Sequence, residues 1–164
     1  EGVGSTFNVY LRASEIDGVP EEVPPASTTL PQRAGRIMVM DDEEYILDLA
    51  VNMLGHFGYE VTGVRNGDEL LRSYRCAVED GKRFDVVIMD LTIPGGMGGR
   101  EALVELKIVD PDVVAIVSSG YSNDPVMANF RAHGFRGVLM KPYTIEDLIQ
   151  VTDEVSSPEG GATV

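Results

Sequence analysis

Between residues 36 and 156 the chain alternates short unbroken apolar runs with stretches whose apolar positions recur every three or four residues. The unbroken runs are Ile37 to Met40, Val86 to Met89, Val113 to Val117 and Gly137 to Met140, and Tyr59 to Val64, interrupted by Glu60 and Thr62, reads as a further strand. Consecutive valine, isoleucine and methionine without polar alternation suit strands covered on both faces, as in a parallel sheet. Between the runs, Ile46, Leu49, Ala50, Met53, Leu54 and Phe57 share one helical face, which Gly58 closes. Asn66 with Glu69 makes a capped start for a helix through Leu70, Leu71, Tyr74 and Val78, ending near Gly81. Glu101 to Val109 reads as a helix with Ala102, Leu103 and Leu106 inward, ended by Pro111. Asp124 and Pro125 form the cap and first turn of a short helix burying Val126, Met127 and Phe130. Thr144, with Asp147 three residues on, starts a last helix carrying Ile145, Leu148 and Ile149. Five strands alternating with five helices predict an α/β fold: a doubly wound parallel sheet with right-handed crossovers and a ligand site at the carboxyl edge of its strands.

That edge collects the polar residues. The first strand runs into Asp41-Asp42, the third into Asp90, the fourth into Ser119 and the fifth into Lys141. A single aspartate beside Pro94 and a glycine run is ordinary turn chemistry, so Asp90 alone decides nothing. Several carboxylates converging on one edge are different, because they repel and are driven toward protonation unless a cation sits among them. Mg²⁺ (or Mn²⁺) meets that need: it prefers oxygen ligands and is held by one or two carboxylates plus a phosphoryl oxygen. Asp42 and Asp90 are the expected side-chain ligands, with Asp41 acting directly or through water and the backbone carbonyl of Thr92 completing the set. Phosphoryl transfer asks a protein mainly for alignment and charge neutralisation. Asp90 is the expected nucleophile, Lys141 a neutraliser of one phosphoryl oxygen and Ser119 a hydrogen-bond donor to another.

Asp41-Asp42, Asp90-Leu-Thr-Ile-Pro, Ser119-Gly120 and Lys141-Pro142, in that order and spacing, resemble the receiver domain of two-component response regulators over about Gly35 to Ser156. The resemblance implies a flavodoxin-like receiver fold with a five-stranded sheet in the order 2-1-3-4-5 and helices on both faces. It also implies acceptance of a phosphoryl group from phosphohistidine onto Asp90 with Mg²⁺, and a cis peptide before Pro142, X-Pro being the usual home of cis bonds. Two positions depart from the commonest pattern of that family. Val138 stands three residues before the lysine, where an aromatic often swings inward, which weakens any expectation of an aromatic switch or of the dimerisation that accompanies it. The loop from Gly95 to Gly99 is unusually rich in glycine and reads as a permissive turn.

Residues 1–11, with Gly2, Gly4, Ser5, Thr6 and a short expected strand at Phe7, Val9 and Leu11, resemble the last glycine box and closing strand of the histidine-kinase ATP-binding domain. The upstream asparagine, aspartate and first glycine box of that family are absent, so ATP binding does not follow. Residues 12–34, with Pro20, Pro24, Pro25, Pro31 and several acids, read as a linker too poor in bulky residues to offset its ordering entropy. Residues 35–156 form the expected receiver and 157–164 a flexible tail. A kinase end, an acidic linker and a receiver in that order resemble the C-terminal part of a hybrid histidine kinase. The implied partners are a kinase phosphohistidine domain or a histidine phosphotransfer protein, and the implied chemistry of this part is phosphoryl acceptance and loss, while the parent would be the kinase.

A length of 164 residues suits one core with tails. The 13 basic against 27 acidic residues give a net charge of −14, which repels phosphate backbones and excludes direct nucleic-acid binding. A single cysteine, Cys76, excludes an internal disulfide, suits a reducing compartment and is expected to pack on its helix. No run reaches membrane-spanning length and no signal peptide opens the sequence, so a cytoplasmic setting without direct membrane contact is expected. His56 and His133 stand alone, without metal-ligand spacing. Ser118 is expected to be structural and Tyr143 to belong to the core or a partner surface, while Tyr121 and Thr92 flank the site where they can restrict water. Two other readings compete. A haloacid-dehalogenase-like phosphohydrolase also attacks through a strand-end aspartate but resembles its kin in a second aspartate two residues on, where this chain has Thr92. A non-phosphorylated interaction module would keep the fold alone.

Overall fold

The computed structural model describes residues 8, 10, 35–121 and 124–156. The kinase-like segment 1–11, apart from Asn8 and Tyr10, the linker 12–34 and the tail 157–164 lie outside the described residues. The elements are β1 (Arg36–Met40), α1 (Glu44–His56), β2 (Glu60–Val64), α2 (Gly67–Glu79), β3 (Val86–Asp90), α3 (Gly99–Val109), β4 (Ala115–Ser119), α4 (Pro125–Ala128), β5 (Gly137–Met140) and α5 (Ile145–Ser156). The strands form one parallel sheet in the order β2-β1-β3-β4-β5. The all-apolar runs occupy the middle, where β3 and β4 are buried at every position, and β2 and β5 take the edges.

Strand residues divide by alternation between two cores. Met38, Met40, Val87, Met89, Ala115 and Val117 face α2, α3 and α4, against Leu70, Tyr74, Leu103, Leu106 and Met127. Ile37, Val39, Ile88, Ile116 and Leu139 face α1 and α5, against Leu47, Ala50, Leu54, Leu148 and Val155. Asn66 caps α2 through its side chain, which accepts from the Glu69 N–H at 3.0 Å, while the Glu69 carboxylate accepts from the Arg65 N–H.

Several local expectations shift. The buried stripe of α1 is Leu47, Ala50 and Leu54, with Ile46 and Leu49 only half-buried, a rotation that the evenly spread apolar residues of this helix concealed. Val113 and Val114 precede β4 rather than open it. The fourth helix stops after one turn at Ala128 and is followed by a 3-10 turn, Phe130–His133, which Gly134 ends in the left-handed conformation at φ 90°. Phe130 is therefore half-buried against the core, whereas Phe135, just past that turn, is fully buried. Cys76 is exposed on α2 and does not pack inward.

At the amino edge of the sheet the turn after α3 buries Asp110. Its carboxylate accepts from the Tyr74 hydroxyl at 2.6 Å, from Arg83 Nε at 3.1 Å and from the Asp112 N–H at 3.2 Å, and also pairs with Arg83 Nη2.

Candidate functional site

At the opposite edge β1, β3, β4 and β5 end together, and their last or next residues form one cluster. Asp41 follows β1, Asp90 closes β3, Ser119 closes β4 and Lys141 follows β5. The chain continues the ladder past β5, where the Lys141 N–H bonds the Ser119 carbonyl at 2.9 Å. The peptide between Lys141 and Pro142 is cis, as expected.

Lys141 Nζ bridges two carboxylates, at 2.5 Å from Asp41 Oδ2 and 2.7 Å from Asp90 Oδ2. Burial favours the neutral amine, but the hydrogen bonds to Asp41 and Asp90 outweigh it and hold the ammonium above its ordinary pKa. Asp41 is 2% exposed, and burial raises its carboxyl above the usual range despite the lysine hydrogen bond and the Glu43 N–H at 3.0 Å. Asp41 and Lys141, expected to act separately, are joined as an ion pair. Burial, followed by the negative charge of Asp41, also raises the Tyr143 hydroxyl, and Tyr143 packs half-buried against the core under α1 and α5.

Asp90 Oδ1 accepts from the Thr92 N–H at 3.2 Å, so the turn that follows β3 fixes the carboxylate plane. Thr92 itself is exposed. Two glycines of the following loop are demanded by close approach. A Cβ on Gly99 would lie 2.7 Å from the Asp90 carbonyl oxygen, and one on Gly98 would collide with the Leu91 carbonyl. The loop expected to be merely permissive is thus folded tightly back under the strand end that carries Asp90.

Ser119 is 1% exposed, and its Oγ accepts from the Tyr121 N–H at 3.1 Å, which leaves its own proton to donate. Tyr121 is exposed beside it. Ser118, expected to be structural, is buried in β4 with an Oγ that has no hydrogen-bond partner. Val138 is half-buried against the α2–α4 core. His56 and His133 lie at the ends of their helical segments, away from these strand ends.

Asp42 is exposed, while Asp41 and Asp90 are buried, and one oxygen from each of the three lies within 4.8 Å of the others. This donor set is acidic and all oxygen, with no sulfur or imidazole, which fits a hard divalent cation rather than zinc. Among the described residues no helix is long and apolar enough to cross a membrane.

The sensor kinase CckA of Brucella abortus is 28% identical over 161 residues, covering 94% of this chain and 17% of that protein. The chemotaxis protein CheY of Thermotoga maritima is 26% identical over 122 residues, covering 74% of this chain and 97% of that protein. A crystal structure of a response regulator receiver domain protein from Clostridium thermocellum superposes with a TM-score of 0.66 at 29% identity, covering 74% of this chain and 94% of that one. The family model described as the response regulator receiver domain matches residues 37–153, and with it the strand ends that carry Asp41, Asp90, Ser119 and Lys141, so this chain belongs to the response regulator receiver family.

Proposed function

We propose that Asp90 is the phosphoacceptor of this receiver, with Asp41, Asp42, Asp90 and the Thr92 carbonyl as the Mg²⁺ (or Mn²⁺) ligands, and Ser119 and Lys141 as the groups that receive the phosphoryl oxygens. The observation that carries this reading is the shared ammonium: Lys141 holds Asp41 and Asp90 at one strand edge, 2.5 and 2.7 Å away. That ammonium and the Thr92 N–H hold the acceptor carboxylate in place until a phosphoryl group arrives. An Asp90 oxygen then forms a bond to phosphorus as the P–N bond of a phosphohistidine breaks, and the imidazole leaves with the bonding pair. Asp90 releases no proton in this step. Lys141 follows the new negative charge from the carboxylate to a phosphoryl oxygen, and the Ser119 hydroxyl, held by the Tyr121 N–H, donates to another. Mg²⁺ held by Asp41, Asp42, Asp90 and the Thr92 carbonyl would supply charge neutralisation.

The phosphodonors that suit this chemistry are a kinase phosphohistidine domain or a histidine phosphotransfer protein. Alignment with a sensor kinase over 94% of the chain supports a hybrid-kinase parent, in which 1–11 ends the ATP-binding domain, 12–34 is a linker, 35–156 the receiver and 157–164 a tail. A cytoplasmic location follows from that reading. Phosphohydrolase chemistry is disfavoured by Thr92, which offers no carboxyl group two residues after Asp90.

Intact mass after incubation with acetyl phosphate tests the assignment. One phosphoryl group, about 80 Da, is expected with Mg²⁺ and not without it, and is lost in Asp90→Asn. An increment retained in Asp90→Asn overturns the choice of acceptor.

A further inference from the structure

Ser118 is the buried side chain of the site that this scheme leaves unused. It is 3% exposed, and among the described residues its Oγ and Arg36 Nε are the buried side-chain polar atoms without a hydrogen-bond partner. Buried hydroxyls are costly to leave unpaired, and an orphan in a native site calls for a state in which it is satisfied.

The sheet register says where that hydroxyl sits. Ser118 pairs with Asp90 on β3 and with Leu139 on β5. Val39, Ile88, Ile116 and Leu139 belong to the core under α1 and α5. Two residues further along each strand, on the same face, come Asp41, Asp90, Ser118 and Lys141. Because β4 lies between β5 and β3, the Lys141 side chain must cross β4 to reach Asp90, and Ser118 is the β4 residue on that face in the row of Asp90. In the unmodified site the ammonium takes Asp90 Oδ2 and the Thr92 N–H takes Oδ1, and Ser118 goes without.

Phosphorylation reverses that allocation. The carboxyl group of Asp90 becomes an acyl phosphate and loses its charge, while the ammonium is drawn to the phosphoryl oxygens. The carbonyl oxygen of Asp90, even with one lone pair directed to a metal ion, keeps a second for a donor, and Ser118 is its register neighbour on β4. We propose that Ser118 is a positioning residue for the phosphorylated state, its hydroxyl donating to the Asp90 carbonyl oxygen that Lys141 vacates. A donor that is orphaned in one state and paired in the other biases the equilibrium toward the paired state by its differential interaction alone. The inference rests on Asp90 as the acceptor.

Beryllofluoride, a tetrahedral phosphoryl mimic that binds a carboxylate oxygen, tests the bias without turnover. Its affinity in Mg²⁺ would be measured for the wild type, Ser118→Ala, Ser118→Thr and Asp90→Asn, together with each unliganded protein's urea midpoint. Ser118→Ala is expected to bind about fivefold more weakly, the ratio that one net hydrogen bond supports, with a midpoint equal to or above wild type because the orphan is gone. Ser118→Thr, which keeps the hydroxyl, is expected to restore the affinity. Wild-type affinity in Ser118→Ala overturns the inference, as does weakened binding accompanied by a lower midpoint and no rescue by threonine, which marks a packing role. Undiminished binding by Asp90→Asn instead overturns the acceptor assignment itself.

Discussion

Asp110 at the amino edge of the sheet and Asp41 at the carboxyl edge are both buried and paired with a basic side chain, and they are built to opposite ends. At the amino edge Asp110 is saturated by the Tyr74 hydroxyl, two Arg83 nitrogens and the Asp112 N–H. Burial pushes its carboxyl up, but those donors outweigh burial and leave it below the usual range. At the carboxyl edge Asp41 has the Glu43 N–H and one ammonium that it shares with Asp90, and burial leaves its carboxyl raised. Charge that is fully answered stabilises a fold and does nothing further. Charge that is under-answered is available to a cation or a phosphoryl group, and the cost is carried by the rest of the structure.

The largest expected effect separates the two edges outright. Asp90→Asn is expected to abolish phosphoryl incorporation while changing folding stability by no more than about 1 kcal/mol, because it removes one of three mutually repelling carboxylates. Intact mass and urea denaturation on the same sample check both halves, and a large loss of stability would break the comparison. Next is Lys141→Ala. Loss of the group proposed to follow the charge to phosphorus is expected to slow phosphorylation by about 10²-fold, the scale for removing one positioned electrostatic donor, read from the time course of the mass increment.

Asp110→Ala is the reciprocal test. It leaves the Tyr74 hydroxyl buried without its acceptor, and a loss of about 2 kcal/mol is expected with an unchanged phosphorylation rate. Arg83→Ala is expected to cost less than Asp110→Ala, because the guanidinium side chain is 54% exposed and its pairing is screened by water. A phosphorylation defect in either variant would mean that the edges are coupled.

The two edges also differ in how much of them the sequence discloses. The order of elements and the placement of Asp41, Asp90, Ser119 and Lys141 at strand ends follow from apolar runs and from what terminates them, because a doubly wound sheet has only one edge for its ligands. The sharing of Lys141 between two aspartates does not follow. It depends on sheet order, which sets β5 two strands from β3 and thus the reach required of the side chain. In the sequence Asp110 is only the residue between a helix end and Pro111, and its partners Tyr74 and Arg83, 36 and 27 residues away, meet it through tertiary packing. The glycines at 98 and 99 carried a readable signal of their own, since a close backbone approach is as good a reason for glycine as a turn. Ser118 had no signal beyond its neighbour, because an orphan hydroxyl is defined by what surrounds it.

The smallest expected effect is the most direct reading of the contrast, and it lies in the acid limb of stability. Stability rises with pH wherever the unfolded chain binds more protons than the native one. Asp110, depressed in the native state, satisfies that condition below the ordinary aspartate value of about 3.9. Its contribution is present above that pH and is lost as pH falls toward the native value. Asp41, raised in the native state, does the reverse: between the ordinary value and its raised one the native protein holds the extra proton, so acidification relieves a cost. Urea midpoints measured from pH 7 down to the onset of acid unfolding should therefore fall less steeply in Asp110→Ala than in the wild type. They should fall more steeply in Asp41→Asn, which has lost the compensating group. Slopes displaced in the same direction by both substitutions would show that the two carboxylates are held alike, and that the carboxyl edge is not kept under-answered after all.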